Sequence, residues 1–388
     1  NVDAGTMNPT EHGEVVVLKS GLECDQDMGN YERFLGKDLK DDFYITSGMV
    51  YKHVIDRERN LGYRGRCVEA IPHIRDEIIR RFKRSVEIDN ADISVIEIGG
   101  TVGDYQNIMF IEAARVLKLE QPDDVLFVLV SYLPIPHMIG EMKTRPTQNA
   151  VRQLNSYGVQ PTFIIARSEK PLDKRRKEKI AVSCNVLPEH VISAPDVASI
   201  YDVPINFEKD KIGEMILETL KLKRISSTNH LSRWRRFVSR GKDAQKKVKI
   251  ALIGKYFDTG DFQLSDSYIS VIEALKISAY TLGRIPELVW LSAEEFEKNS
   301  RTLKKLDSFD GVVVPGGFGE RGVSGKIKVI EYARKKKIPY LGLCYGMQLA
   351  VVEYARHVAK LKRAHTTEVD AGTPHPVIDI LPDQKKNI

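Results

Sequence analysis

The chain has 388 residues, 42% of them apolar and 29% charged, and 59 basic against 53 acidic side chains leave a net charge of +6. That length allows two domains with real cores, and the composition excludes a disordered or fibrous protein. The mild positive charge suits anionic small ligands without calling for nucleic acid, and no apolar run approaches the roughly 18 residues of a helical membrane span.

The four cysteines, Cys24, Cys67, Cys184 and Cys344, form no C-x-x-C pair. Neither a zinc site nor a disulfide framework is implied, and a reducing, cytoplasmic setting is the simple reading. No signal peptide is expected. The sequence starts at Asn1 within what reads as a site loop and stops at Ile388 soon after a strand-like Val377-Ile-Asp-Ile-Leu381, so both ends are expected to be cut.

Along the chain, Asp25-Gln-Asp27 comes first as a pair of alternating carboxylates. The stretch from Glu69 to Phe82 predicts a helix starting near Pro72. Ile93 to Ile98 predicts a buried strand ending in Gly99-Gly100, and Val125 to Tyr132 a second one closed by Pro134 and Pro136. A helix is expected over Asn149 to Tyr157, ended by Gly158, and a strand over Gln160 to Ala166. This alternation predicts a mostly parallel sheet covered by helices. From Lys221 to Lys247 the chain is strongly basic, which reads as a linker with a short helix over Leu231 to Val238, either solvated or a nucleic-acid arm. Val248-Lys-Ile-Ala-Leu-Ile-Gly254 starts a second α/β unit, continued by a helix over Ser267 to Ala279.

The most informative run is Ile338-Pro-Tyr-Leu-Gly-Leu-Cys-Tyr-Gly-Met347, which reads as strand, sharp turn and helix with a thiol at the apex. Flanking glycines permit a strained turn, and the helix dipole favours thiolate, so Cys344 is a candidate nucleophile. Upstream, Gly311-Val-Val-Val-Pro-Gly-Gly-Phe-Gly319 is a buried strand ending in a glycine-rich turn. In a parallel sheet both turns fall at the carboxyl edge, where backbone N–H groups can face a developing oxyanion.

A second site is expected in the first domain. Glu97-Ile-Gly-Gly-Thr-Val-Gly-Asp104 puts carboxylates about a glycine-rich turn, where Glu97 needs either an ion-pair partner or a metal. Together with Asp25 and Asp27 these are hard oxygen ligands of the kind Mg2+ takes beside substrate phosphates. Lys143-Thr-Arg-Pro-Thr-Gln148 and Arg175-Arg-Lys-Glu-Lys179 add cations. Each alone reads more often as a solvated loop, but the set suggests a magnesium–nucleotide site.

At these residues the chain resembles the CTP synthase family of glutamine-dependent amidoligases, nearly end to end. The resemblance rests on Asn1-Val-Asp-Ala-Gly-Thr-Met7, Glu11-His-Gly-Glu14, Gly29-Asn-Tyr-Glu-Arg-Phe34, Glu97 to Asp104, Lys143 to Gln148, Pro315-Gly-Gly-Phe-Gly-Glu-Arg-Gly322 and Gly342-Leu-Cys-Tyr-Gly-Met-Gln348. It implies an α/β protein of two parallel-sheet, three-layer domains. A P-loop-NTPase-like synthetase would span 1–222, a basic linker 223–247, and a flavodoxin-like class I glutaminase 248–388. It implies a ligase that phosphorylates UTP with ATP and Mg2+ and aminates it with ammonia from glutamine. CTP is implied as feedback inhibitor, GTP as activator, and a homotetramer, or filaments of it, as the assembly.

By the same resemblance Asp27 and Glu97 would hold Mg2+, with Asp27, Arg167 and Asp196 also at ATP. Asp104, Lys143, Thr144, Arg145, Gln148 and Lys179 would bind UTP or CTP. Pro9, His12 and Val15 would line the ammonia exit. Cys344 would be the nucleophile, with Gly317, Tyr345, Gly346, Met347, Gln348 and Glu368 around glutamine.

The sequence departs from the family in four places. No G-x-x-x-x-G-K-[ST] phosphate loop occurs, and His357, His365 and His375 follow Cys344 without the His-Pro-Glu context of the triad. Tyr105-Gln106 stands where the family usually has Ile-Glu, and Arg145 stands for a usual lysine. These 388 residues alone are therefore expected to be inactive in both reactions, the missing segments lying outside the stretch. Two alternatives remain open at this point: a non-catalytic nucleotide-binding, oligomerising member, or a stand-alone glutaminase.

Overall fold

Short apolar runs alternating with amphipathic stretches build two parallel sheets, each with its own helices. The computed structural model describes residues 2–3, 13–138, 140–223, 230–254, 258–259, 262–263, 268–317 and 320–381. They divide into two compact units, one from Asn1–Ala4, Leu18–Leu22 and Asp38–Arg235, the other from Gly5–Val17, Glu23–Lys37 and Arg236–Ile388.

In chain order the elements are β1 (Val16–Val17), β2 (Glu23–Cys24), α1 (Gln26–Leu35), α2 (Ser47–Arg59), α3 (Arg75–Asp89), α4 (Ile108–Glu120), β3 (Val128–Tyr132), α5 (Arg145–Ser156), β4 (Phe163–Ser168), α6 (Lys174–Cys184), β5 (Val191–Pro195), α7 (Val203–Lys209), α8 (Ile212–Thr219) and α9 (His230–Asp243). They continue with β6 (Lys246–Gly254), β7 (Asp258–Thr259), β8 (Phe262–Gln263), α10 (Ile269–Thr281), β9 (Arg284–Ser292), α11 (Ala293–Lys298), β10 (Gly311–Val314), α12 (Val323–Lys336), β11 (Tyr340–Gly342), α13 (Tyr345–His357), β12 (His365–Thr366) and β13 (Pro376–Ile378).

In the first unit β3, β4 and β5 form a parallel sheet, with Val130 opposite Ile165 and Ile165 opposite Ile192. Helices α5 and α6 pack their apolar faces on it through Val151, Leu154 and Ile180 around Ile164 and Val191. Helix α5 starts at Arg145 rather than Asn149, because Pro146 sits in the first turn, where its missing N–H breaks no bond. Strand β4 starts at Phe163 rather than Gln160, because Pro161 cannot donate to a ladder.

The strand expected over Ile93 to Ile98 is not formed. Residues 93–98 are in no described ladder, and Val95 is 93% exposed. Glu97 is accordingly exposed, not buried on a strand. Apolar content marks a segment that could pair, but a strand exists only where a neighbour offers its N–H and C=O groups.

A second core of this unit packs α2, α3 and α4 through Val50, Val54, Ile78, Phe82 and Ala113. Glu77 lies beneath it, 4% exposed. It accepts from Arg80 at 2.7 Å and Arg81 at 2.8 Å, and His53 stands 3.5 Å away. Burial pushes its carboxyl up, but the hydrogen bonds from Arg80 and Arg81, with the charges of Arg80 and His53, outweigh it and hold it below the usual range. A carboxyl whose folded pKa is depressed contributes stability above its unfolded value of about 4.3, and that stability is lost as pH falls through the folded value. Glu77→Gln is therefore expected to cost about 2 kcal/mol at neutral pH, with the gap to the parent closing below about pH 4. Thermal melts at pH 7 and pH 3 check this.

In the second unit the order is β11-β10-β6-β9, all parallel. Ala251, Ile253, Phe296, Leu306, Val312, Val314 and Val329 fill one face. Val323, Ile327, Ile330, Tyr345, Leu349 and Val352 join α12 to α13. The linker helix is longer than expected, His230–Asp243. The Glu14 carboxylate accepts from the Ser270 N–H at 2.6 Å, meeting a free donor at the start of α10.

Candidate active sites

Strands β10 and β11 are neighbours and parallel, so the turns after them leave the same edge of the sheet. After β10 comes Pro315-Gly316-Gly317, while Phe318 and Gly319 lie outside the described residues. After β11 comes Leu343-Cys344, then α13. Cys344 caps that helix with φ 51° and ψ −111°, a conformation that costs a non-glycine residue about 1–3 kcal/mol.

Packing holds the strain. The Leu343 N–H donates to the Val314 carbonyl at 3.0 Å, and the Gly346 N–H to the Leu343 carbonyl at 2.9 Å. The Tyr340 hydroxyl donates to the Gly346 carbonyl at 2.8 Å. The glycines are demanded by space, since a Cβ on Gly342 would stand 2.7 Å from the Gly346 and Met347 backbone. The outcome is an exposed thiol at the apex.

The glycine-rich turn faces it. A Cβ on Gly316 would lie 3.4 Å from Cys344 Cβ and 3.8 Å from Sγ. The Tyr268 hydroxyl donates to the Gly316 carbonyl at 3.3 Å. Because the peptide is planar, that bond also fixes the opposite direction of the Gly317 N–H. Gly317 has φ 143°, a value that favours glycine.

Tyr345, 3% exposed, follows the thiol, and its hydroxyl has no hydrogen-bond partner among the described residues. Burial, then the charges of Glu368 and Glu320, push it up to about 12. Gly346 is buried, Met347 half-exposed and Gln348 partly buried. Glu368 is exposed in the turn after β12, its N–H donating to Thr366 Oγ1 at 3.3 Å.

No histidine is hydrogen-bonded to Cys344 among the described residues. His357 is at the far end of α13, about 20 Å along the helix axis, with Nδ1 3.1 Å from Glu353. His365 Nδ1 accepts from the Thr366 N–H at 2.9 Å, and burial, then Arg356, push its pKa down. His375 is partly buried, its N–H donating to Thr373 Oγ1 at 3.3 Å. Glu331, Glu353 and His357 have metal-ligand spacing. Yet Glu353, 1% exposed, is already held by Arg334 at 2.7 Å, so the group reads as a balanced ion-pair cluster.

In the first unit several of the expected nucleotide-site residues follow the carboxyl ends of β3, β4 and β5. Arg167, on β4, and Asp196, just past β5, form an ion pair at 3.2 Å. Thr144 and Gln148, each 6% exposed, stand at the start of α5, with Gln148 Nε2 donating to Thr144 Oγ1 at 3.2 Å. Arg145 is exposed. Lys143 donates to Glu141 at 2.7 Å. That bond, then the charges of Lys143, Lys179 and Arg176, hold the Glu141 carboxyl low. Asp104 accepts from the Thr101 N–H at 2.9 Å and closes the glycine turn after Glu97.

Asp27 is exposed on α1, in the second unit, while Glu97 belongs to the first. Val15 is partly buried just before β1, whereas Pro9 and His12 lie outside the described residues. Sequence reasoning missed Tyr268, Tyr340 and Lys326. Only Lys326 left a signal, since it occupies an apolar-face position of α12 between Val323 and Ile330.

Known proteins share this arrangement of segments. Residues 1–222 match the family described as CTP synthase N-terminus, and residues 263–383 match glutamine amidotransferase class-I. A CTP synthase of Sulfurisphaera tokodaii is 48% identical over 387 residues, covering 100% of this chain and 72% of that protein. CTP synthases of Pyrococcus abyssi and Caldanaerobacter subterraneus are 47% and 46% identical, each over 99% of this chain and 70% of theirs. A solved structure titled Trypanosoma brucei CTPS, glutaminase domain with bound acivicin, is 34% identical, covering 36% of this chain and 52% of that one at a TM-score of 0.33.

Proposed function

Since this chain belongs to the CTP synthase family, we propose that it aminates UTP to CTP with ATP and glutamine, using the two sites described above. The reading rests on identity that runs through the whole chain, synthetase and glutaminase regions alike.

In the glutaminase unit the Cys344 thiolate attacks the carboxamide carbon of glutamine. The carbonyl electrons move onto oxygen, where the N–H groups of Gly317 and Tyr345 meet them. Collapse breaks the C–N bond, the departing nitrogen takes up the proton that the thiol gave up and leaves as ammonia, and a thioester remains for water to hydrolyse to glutamate. Gly346 and Met347 shape the pocket, and Gln348 and Glu368 hold the amino-acid end.

In the synthetase unit the γ-phosphoryl of ATP passes to O4 of UTP, ammonia adds at C4, and phosphate departs. Lys143, Thr144, Arg145, Gln148 and Lys179, with Asp104, bind UTP, or CTP when it inhibits. Arg167 and Asp196 bind ATP. Asp27 and Glu97 suit Mg2+, because both are accessible carboxylates and so hard oxygen donors. When bound, the ion neutralises charge on the transferring phosphoryl group. Pro9, His12 and Val15 line the ammonia passage. The working divisions are 1–222, 223–247 and 248–388, and a cytoplasmic homotetramer activated by GTP is the assembly.

The test is full-length protein with UTP, ATP, Mg2+ and glutamine, followed by chromatography. CTP is expected only when all four are present. Glutamine hydrolysis indifferent to UTP and ATP would mean a stand-alone glutaminase, and nucleotide binding without turnover a non-catalytic member.

A further inference from the structure

Lys326 is 1% exposed, on the face of α12 otherwise made of Val323, Ile327 and Ile330. An ammonium buried there needs groups that hold it, since an unheld one is costly. Its Nζ stands 5.7 Å from the centroid of the Tyr345 ring, within cation–π range. The elements involved are telling. Helix α12 follows the loop that carries Gly316 and Gly317, and Tyr345 is the first residue of α13 after Cys344. The contact thus joins the two segments that supply the backbone donors of the oxyanion site. The charges of Glu368 and Glu320 also act on the Tyr345 hydroxyl.

We propose that Lys326 is a positioning residue of the glutamine half-reaction, its buried ammonium holding Tyr345 and hence the elbow in register with the Gly316-Gly317 turn. The proposal rests on the glutaminase reading above.

Full-length Lys326→Met, Lys326→Arg and Tyr345→Leu proteins test it. Lys326→Met is expected to lower kcat for glutamine hydrolysis roughly tenfold with little change in KM, as befits loss of register. Lys326→Arg should restore most of the rate. The double variant Lys326→Met with Tyr345→Leu should be no slower than the slower single one, as for residues acting as a unit. Alkylation of Cys344 by iodoacetamide needs no substrate and should also slow several-fold in Lys326→Met, so the proposal is tested even if glutamine turnover itself fails. Unchanged kcat and alkylation in Lys326→Met, or additive effects in the double variant, overturn it. Loss of parental glutamine turnover with the alkylation difference intact would instead count against the functional reading.

Discussion

The Cys344→Ala protein is expected to make no CTP from glutamine and to keep making it from ammonium chloride. No other described group can replace the lost nucleophile, so glutamine-driven CTP formation should fall by at least about a thousandfold. The fold should survive, because the thiol is exposed and its removal leaves no internal cavity. Ammonium-driven synthesis should remain near parental, since it depends on residues such as Lys143 and Arg167 in the other unit. Both reactions, followed side by side by chromatography, settle the matter. If Cys344→Ala also loses the ammonium reaction, the division of labour between the units is wrong.

The elbow was legible because its demands are local. A thiol between glycines, after an apolar run and before a helix former, allows few backbone paths, and φ 51° at Cys344 is one of them. The parallel sheets were legible for a similar reason, since runs such as Phe163 to Ala166 are apolar on both faces. Features that depend on neighbours were not legible. Residues 93–98 read like a strand, yet pairing needs a partner that periodicity cannot reveal. Residues Glu23–Lys37 group with the second unit although they match the synthetase family, which reflects packing and not local pattern. Tyr268 reaches Gly316 across 48 positions, and nothing near either residue announces the bond.

Gly346→Ala is the second large effect. A Cβ there would stand 2.0 Å from the Val314 carbonyl oxygen, 2.9 Å from its carbon and 3.1 Å from Val314 Cβ. Backbone, not a flexible side chain, sets the two shorter contacts, so the clash can be relieved only by moving the start of α13 away from the end of β10. That movement strains the 3.0 Å bond from Leu343 to the same carbonyl and the 2.8 Å bond from Tyr340 to Gly346. It also carries the Tyr345 N–H away from Gly317, and a shift near 1 Å at such a site costs about a hundredfold in rate. Overpacking should cost about 1–3 kcal/mol besides. Gly316→Ala is the contrast. Its new Cβ would meet Cys344 at 3.4 and 3.8 Å, close to ordinary contact, so its Tm should stay near parental while the thiol is merely crowded. Melting curves and glutamine hydrolysis of the two variants separate the cases. A Gly346→Ala protein with parental Tm and parental rate would mean that α13 does not press on β10 as described, and the strained cysteine would lose its support.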